Sequence, residues 1–194
     1  MEVILSTRGV DLQDCDVLVV GLFEDERPLK GPRGWIDWRL NGRLSHLLIQ
    51  NRLTADWKET TLIPSQGRIA PRMILLVGLG KARGYSYLRL RELFPYVLGA
   101  LKKLKAVSIC PAFPQGEGYG VDSGKLAEVL IEGIADCLGP DGNPSDREWV
   151  NQLRLFFAER EEQLPEVLLG IETAKSIFED RLRIRILVPS GRIK

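Results

Sequence analysis

"MILLVGLGKARG", residues 73–84, joins a continuous apolar run to Gly78-Leu79-Gly80-Lys81. An apolar run bounded by turn residues reads as a strand buried on both faces. Its end offers a choice between a phosphate loop and a tight turn. A dinucleotide fingerprint needs GxGxxG, but the third position here is Arg83 and Gly84 comes one residue late. A Walker loop needs GxxxxGK followed by Ser or Thr, but Gly80-Lys81 is followed by Ala82 and Leu75 stands where the first glycine belongs. Both templates fail, so a tight strand-end turn is the simpler reading. Gly78, Gly80 and Lys81 stay as candidate anion contacts.

Outward from this strand, the chain alternates strand and helix patterns. "VILS" at 3–6 and "DVLVVGLF" at 16–23 read as strands, the second buried on both faces. After a Pro/Gly-marked loop, a helix is expected from Asp37, with Leu40, Leu44, Leu47 and Leu48 on one face. "TTLIPS" at 60–65 is a strand. Ser86 caps a helix that runs through Tyr87, Leu90, Phe94, Val97, Leu101 and Leu104, with a kink or late start expected at Pro95. "AVSIC" at 106–110 is a strand, followed by a glycine-rich loop over 111–124. The next helix starts near Asp122 or Ser123 with Leu126, Leu130, Ile134 and Cys137 inward. "GPDGNPSD" at 139–146 is the strongest break. Beyond it come a strand ("QLRLFFAE"), a helix from Pro165 to about Phe178, and a strand ("RLRIRILV"). So short a tail is expected to complete the same sheet, giving a single domain over 1–194 with 139–146 as a loop. The fold class is α/β, with a mixed, largely parallel sheet flanked by helices.

Composition bounds the function. The chain has 194 residues, 44% apolar and 27% charged, with a net charge of +1. That is enough chain to bury a core without staples. The balanced charge provides no general field for nucleic acid or membrane, and neither partner is expected. No apolar run approaches the roughly 18 residues of a membrane span, and the start carries no secretory pattern. Cys15, Cys110 and Cys137 are too few, odd and scattered for a disulfide framework, so reduced thiols and a cytoplasmic location are expected. His46 is the sole histidine, which excludes multi-histidine metal sites and His-paired nucleophiles. No cofactor and no metal are expected.

The 116–124 loop is the better ligand candidate. Gly116, Gly118, Gly120 and Gly124 lie between a buried strand and a helix start. Its amides can face an anion, and Tyr119 can stack on a ring or sugar. A plain connection whose glycines permit positive φ is the alternative. Elsewhere, Glu24-Asp25-Glu26 reads as a solvated turn or a cation site. Trp35 and Trp38 read as core anchors of a helix start or as a binding surface. Arg181, Arg183 and Arg185 share one strand face, which protects an edge or meets an acidic partner.

The pieces "DVLVVGLFEDE", "NGRLSHLL" and "ETTLIPSQGRIAPRMILLVGLGK", in that order, resemble the N-terminal domain of the leucyl (cytosol) aminopeptidase family. "RELFPYVLGALKKLKAVSI" fits the helix and strand that follow there. The resemblance implies a three-layer macro-domain-like fold. It does not imply peptidase chemistry, because the family's two zinc ions lie in a catalytic domain whose signature has no counterpart here. "SICPAFPQGEGYGVDSGKLAEVLIEGI" is similar to the strand, phosphate loop and helix of macro domains proper. That likeness implies Gly116, Gly118, Tyr119 and Gly120 near the phosphates and distal ribose of ADP-ribose, and Asp11 near its adenine. The asparagine-rich segment and polyglycine stretch of macro domains are replaced by "VGLFEDE" and by Gly31 and Gly34. The expectation is therefore a non-catalytic binding module whose partner is a protein or a second copy. The alternative is a nucleotide or ADP-ribose ligand held by 116–120.

Overall fold

The computed structural model describes residues 1–139 and 143–188. Strands β1 (Glu2–Ser6) and β2 (Val17–Leu22) are followed by helices α1 (Gly31–Arg39) and α2 (Arg43–Ile49). Next come β3 (Thr60–Pro64), β4 (Met73–Gly78), α3 (Tyr87–Lys103) and β5 (Ser108–Ala112). The chain continues through α4 (Ser123–Leu138), α5 (Pro144–Gln152), β6 (Arg154–Ala158), α6 (Leu164–Ile177) and β7 (Arg185–Leu187). The strands form one seven-stranded sheet in the order β3-β4-β2-β5-β6-β1-β7. Only β3 runs antiparallel to its neighbour. Every other pairing is parallel.

Strand periodicity builds the layers. Successive side chains point to opposite faces, so Val17, Val19, Leu75, Val77 and Ile109 join one core with α3, α4 and α6. Leu18, Val20, Ile74, Leu76 and Cys110 join the other with α1 and α2. This is a three-layer α/β fold of macro-domain type. Asp16 ties β2 to β5, because its carboxylate accepts from the amides of Val107 (3.0 Å) and Ser108 (2.9 Å). Burial works to raise the Asp16 carboxyl, but these bonds outweigh it and hold the group below its ordinary value. No helix among the described residues is long and apolar enough to cross a membrane.

Several expectations need correction. The single helix expected from Asp37 is two helices, broken where Asn41 (φ 57°) and Gly42 (φ 73°) turn left-handed. Asp37 lies in the last part of α1 and caps α2, accepting from the amides of Leu44 (2.7 Å) and Ser45 (3.2 Å). Pro95 lies inside α3, which starts on time with Ser86 as its cap. The final strand is only Arg185–Leu187, so Arg181 and Arg183 precede it and share no strand face with Arg185. Residues 140–142 of the 139–146 break lie outside the described residues, and α5 already begins at Pro144.

Candidate functional site

A cleft of about 1210 Å³ opens beyond the carboxyl ends of β1, β2, β5 and β6. Open α/β sheets bind ligands at this end because the connecting loops splay apart there. Residues 7–11 supply one wall and the loop from Asp25 into α1 supplies the next. The stretch from Ala112 to Tyr119 and, after β6, Glu159, Arg160 and Gln163 complete the lining. Among the described residues the lining carries six basic side chains (Arg8, Arg27, Lys30, Arg33, Arg83 and Arg160) and four acidic ones (Asp11, Asp25, Glu26 and Glu159). Asp11 is further neutralised by Arg39 at 3.4 Å.

The two principal loops meet at a buried cluster. Arg33, in the first turn of α1, is 3% exposed and Glu26 is 8% exposed. Arg33 Nη1 lies 2.8 Å from Glu26 Oε2. Arg33 Nη2 donates to the Tyr119 hydroxyl at 2.5 Å, which donates to Glu26 Oε1 at 2.5 Å. Beneath them Phe23 stacks on Tyr119 (5.7 Å, 25°) and meets the Tyr85 edge (5.1 Å, 85°). Tyr85 donates to the Pro114 carbonyl at 2.8 Å, which pins the second loop. Burial pushes the Tyr119 hydroxyl above its ordinary value, and its bond to the Glu26 carboxylate adds to that. Burial likewise raises the Glu159 carboxyl, although Gln115 Nε2 donates to it at 2.6 Å.

The structure brings Asp11, Gly116, Gly118 and Tyr119 into this one cleft. Gly116 (φ 101°) and Gly120 (φ 63°) bracket a short helical turn, and only the first of them lines the cleft. Among the described residues, the amides of Glu117 and Gly118 donate to nothing. Gly78, Gly80 and Lys81 lie outside the lining. The amide of Gly78 donates to Glu59 (2.8 Å), that of Leu79 to Leu22 (2.8 Å) and that of Gly80 to Ala55 (3.1 Å). Lys81 pairs with Glu24 at 3.5 Å.

At the N-terminus of α4 a carboxylate of the chain already occupies the first turn. The Asp122 side chain accepts from the Lys125 amide at 2.6 Å, and Tyr87 donates to the same carboxylate at 2.6 Å. Glu24, Asp25 and Glu26 do not converge on a cation, since each meets a different partner: Lys81, the Ala82 amide and Arg33. Trp35 and Trp38 are not core anchors. They are 51% and 64% exposed and stack on each other at 4.8 Å. Sequence reading passed over Arg33. The signal present was an arginine just inside a helix start, flanked by glycines.

The family model described as "Cytosol aminopeptidase family, N-terminal domain" matches residues 19–138. The chain belongs to the cytosol aminopeptidase family. This N-terminal-domain chain is 30% identical over 136 residues to a probable cytosol aminopeptidase of Sulfurihydrogenibium, covering 69% of the chain and 26% of that protein. A Bacillus subtilis relative of the same description is 25% identical over 178 residues, covering 91% of the chain and 35% of that protein. The chain thus spans about a quarter to a third of the length of these curated relatives. Among solved structures, a tomato leucine aminopeptidase variant superposes with a TM-score of 0.63 at 17% identity, over 92% of this chain and 36% of that one. A Trypanosoma brucei macrodomain solved in complex with ADP superposes with a TM-score of 0.66 at 15% identity, over 87% of this chain and 68% of that one. At such identities the superpositions establish the fold alone.

Proposed function

We propose that this aminopeptidase-type N-terminal domain is a binding module that holds a phosphate-bearing nucleotide, of the class of ADP or ADP-ribose, in the cleft, and that it cleaves no peptide bond itself. The observation that carries this reading is the excess of basic groups lining the cleft around the buried Arg33. The unpartnered amide of Gly118, which lines the cleft, supplies a donor that a phosphate oxygen accepts from. Asp11, also in the lining, suits the exocyclic amine of a base. The ADP-bound macrodomain of the same fold supports the choice of ligand by analogy. Reduced thiols at Cys15 and Cys110, both buried, agree with a cytoplasmic setting.

The test is calorimetric titration with ADP, ADP-ribose and AMP. Saturable heat with at least one is expected. Gly118→Val is expected to abolish it, since no atom lies within 4 Å of a Cβ there and the added methyls stand in the cleft. Lys81→Ala is expected to change nothing. No heat at millimolar concentration would overturn the reading. A second reading, self-association through α1, rests on the exposed Trp35–Trp38 stack. Sedimentation of the wild type against Trp38→Ala decides it.

A further inference from the structure

Among the described residues Arg33 is the one buried base in the cleft; Arg8, Arg27, Lys30, Arg83 and Arg160 are all exposed. Exposed cations attract an anion but are screened by salt. A buried guanidinium, with five N–H donors in a rigid fork, selects geometry. The fork of Arg33 is poorly spent. Nη2 is used on a neutral hydroxyl, Tyr119. Nε has no acceptor. Nη1 and Glu26 Oε2 are 2.8 Å apart, but neither makes a properly aligned hydrogen bond. Glu26 therefore neutralises Arg33 without matching its fork, while its second oxygen is taken up by Tyr119. Phe23 and Tyr119 hold the guanidinium in place, 5.5 and 5.1 Å from their ring centres. A buried cation fixed in position, with donors left over, is an arrangement that costs stability unless a better acceptor completes it.

Resting on the nucleotide reading above, we infer that Arg33 determines specificity for the phosphate, and that Glu26 is an internal counter-ion which an incoming phosphate exchanges for. A phosphate presents more oxygens and more charge to the fork than one carboxylate does, so the exchange favours it. Glu26 then keeps its bond from Tyr119. A nucleoside without phosphate has nothing to offer Arg33. The pair therefore discriminates for phosphorylated ligands, and Glu26 sets the threshold that a ligand must exceed.

Calorimetry and thermal unfolding of the full chain test this, with ADP and adenosine as probes and Glu26→Gln and Arg33→Met as variants. Glu26→Gln is expected to lower the melting temperature without ligand, because Arg33 loses its counter-charge. The same variant is expected to bind ADP more tightly, on the order of tenfold, and to show a larger ADP-induced rise in melting temperature. A purely structural role for the pair would weaken binding along with stability. Arg33→Met is expected to reduce the ratio of ADP to adenosine affinity by about tenfold or more. If Arg33→Met does not fold, Glu26→Gln decides alone. ADP binding by Glu26→Gln that is unchanged or weaker overturns the inference, as does an unaltered ratio in a folded Arg33→Met; in both cases the nucleotide reading stands. Absence of ADP binding in the wild type and in Glu26→Gln overturns the inference, and the nucleotide reading falls with it only if ADP-ribose and AMP also give no heat.

Discussion

Replacing Gly78 by alanine tests whether the strand-end glycines serve the fold. The segment around Asp56 crosses directly over the end of β4. A Cβ on Gly78 would lie 1.8 Å from the Asp56 carbonyl oxygen, where ordinary contact starts at 3.4 Å. The obstacle is backbone and has no rotamer to swing away. Three hydrogen bonds lock the crossing: Lys58 amide to Gly78 carbonyl (3.0 Å), Gly78 amide to Glu59 carbonyl (2.8 Å) and Gly80 amide to Ala55 carbonyl (3.1 Å). Moving the segment aside sacrifices two or three of them at about 1 kcal/mol each, on top of an overpacking cost of about 1–3 kcal/mol. The total of about 3–6 kcal/mol corresponds to a fall in melting temperature of roughly 6–24 °C for a domain of this size. Gly80→Ala is the internal control. Its φ is +67°, but the nearest atom, Trp57 Cβ, is 3.6 Å away, so only the left-handed backbone is penalised. That costs about 1–2 kcal/mol. Differential scanning calorimetry of both variants is the assay. A Gly78→Ala protein that melts with the wild type, or above Gly80→Ala, refutes the reasoning.

Three further outcomes are expected. The folded Asp16 carboxyl sits below its unfolded value of about 3.9, so its contribution is complete above that pH and is lost as pH falls through the lower folded value. Melting curves of wild type and Asp16→Asn, recorded from neutral to strongly acidic pH, should therefore converge at low pH; a constant gap contradicts this. We propose that residues 1–194 unfold as one unit, visible as a single urea transition by both tryptophan fluorescence and circular dichroism. Two separated transitions would divide the chain. Finally, the purified protein is expected to release no leucine from a leucyl amide, with or without added zinc; activity that survives repurification counts against the binding-module reading.

The layers were legible because buried strands announce themselves. The apolar residues of 17–23 and 73–79 go alternately to the two cores, as a strand buried on both faces requires. The α1–α2 break was visible only as Asn41-Gly42, and the leucine spacing across it imitated one continuous helix. Leu40, Leu44 and Leu48 are indeed all buried, although Leu40 caps the end of α1 and the other two belong to α2. Trp35 and Trp38, at helical spacing, do share a face, but periodicity does not say which face meets solvent. Along the tail, Leu182 and Ile184 are buried and continue a strand-like alternation ahead of β7, which begins only at Arg185. The Glu26–Arg33–Tyr119 cluster was illegible for a different reason. Tyr119 stands 86 residues from Arg33 and 93 from Glu26, and only the sheet order brings β2 and β5 side by side.

The same sheet order has a consequence for synthesis. β1 lies between β6 and β7, so both of its hydrogen-bonding edges wait for the last strands of the sheet. On a ribosome the first strand emerges about 150 residues ahead of its partners, an interval of roughly 8–30 s at ordinary elongation rates. During that time a segment with Val3 and Leu5, both destined for the interior, has its backbone unpaired on either side. Long-range parallel pairing of this kind is slow to form and exposed to misassociation. The nascent chain thus has a built-in waiting period: one edge of β1 stays open until the strand at Arg154–Ala158 clears the exit tunnel, and the other until Arg185–Leu187 does.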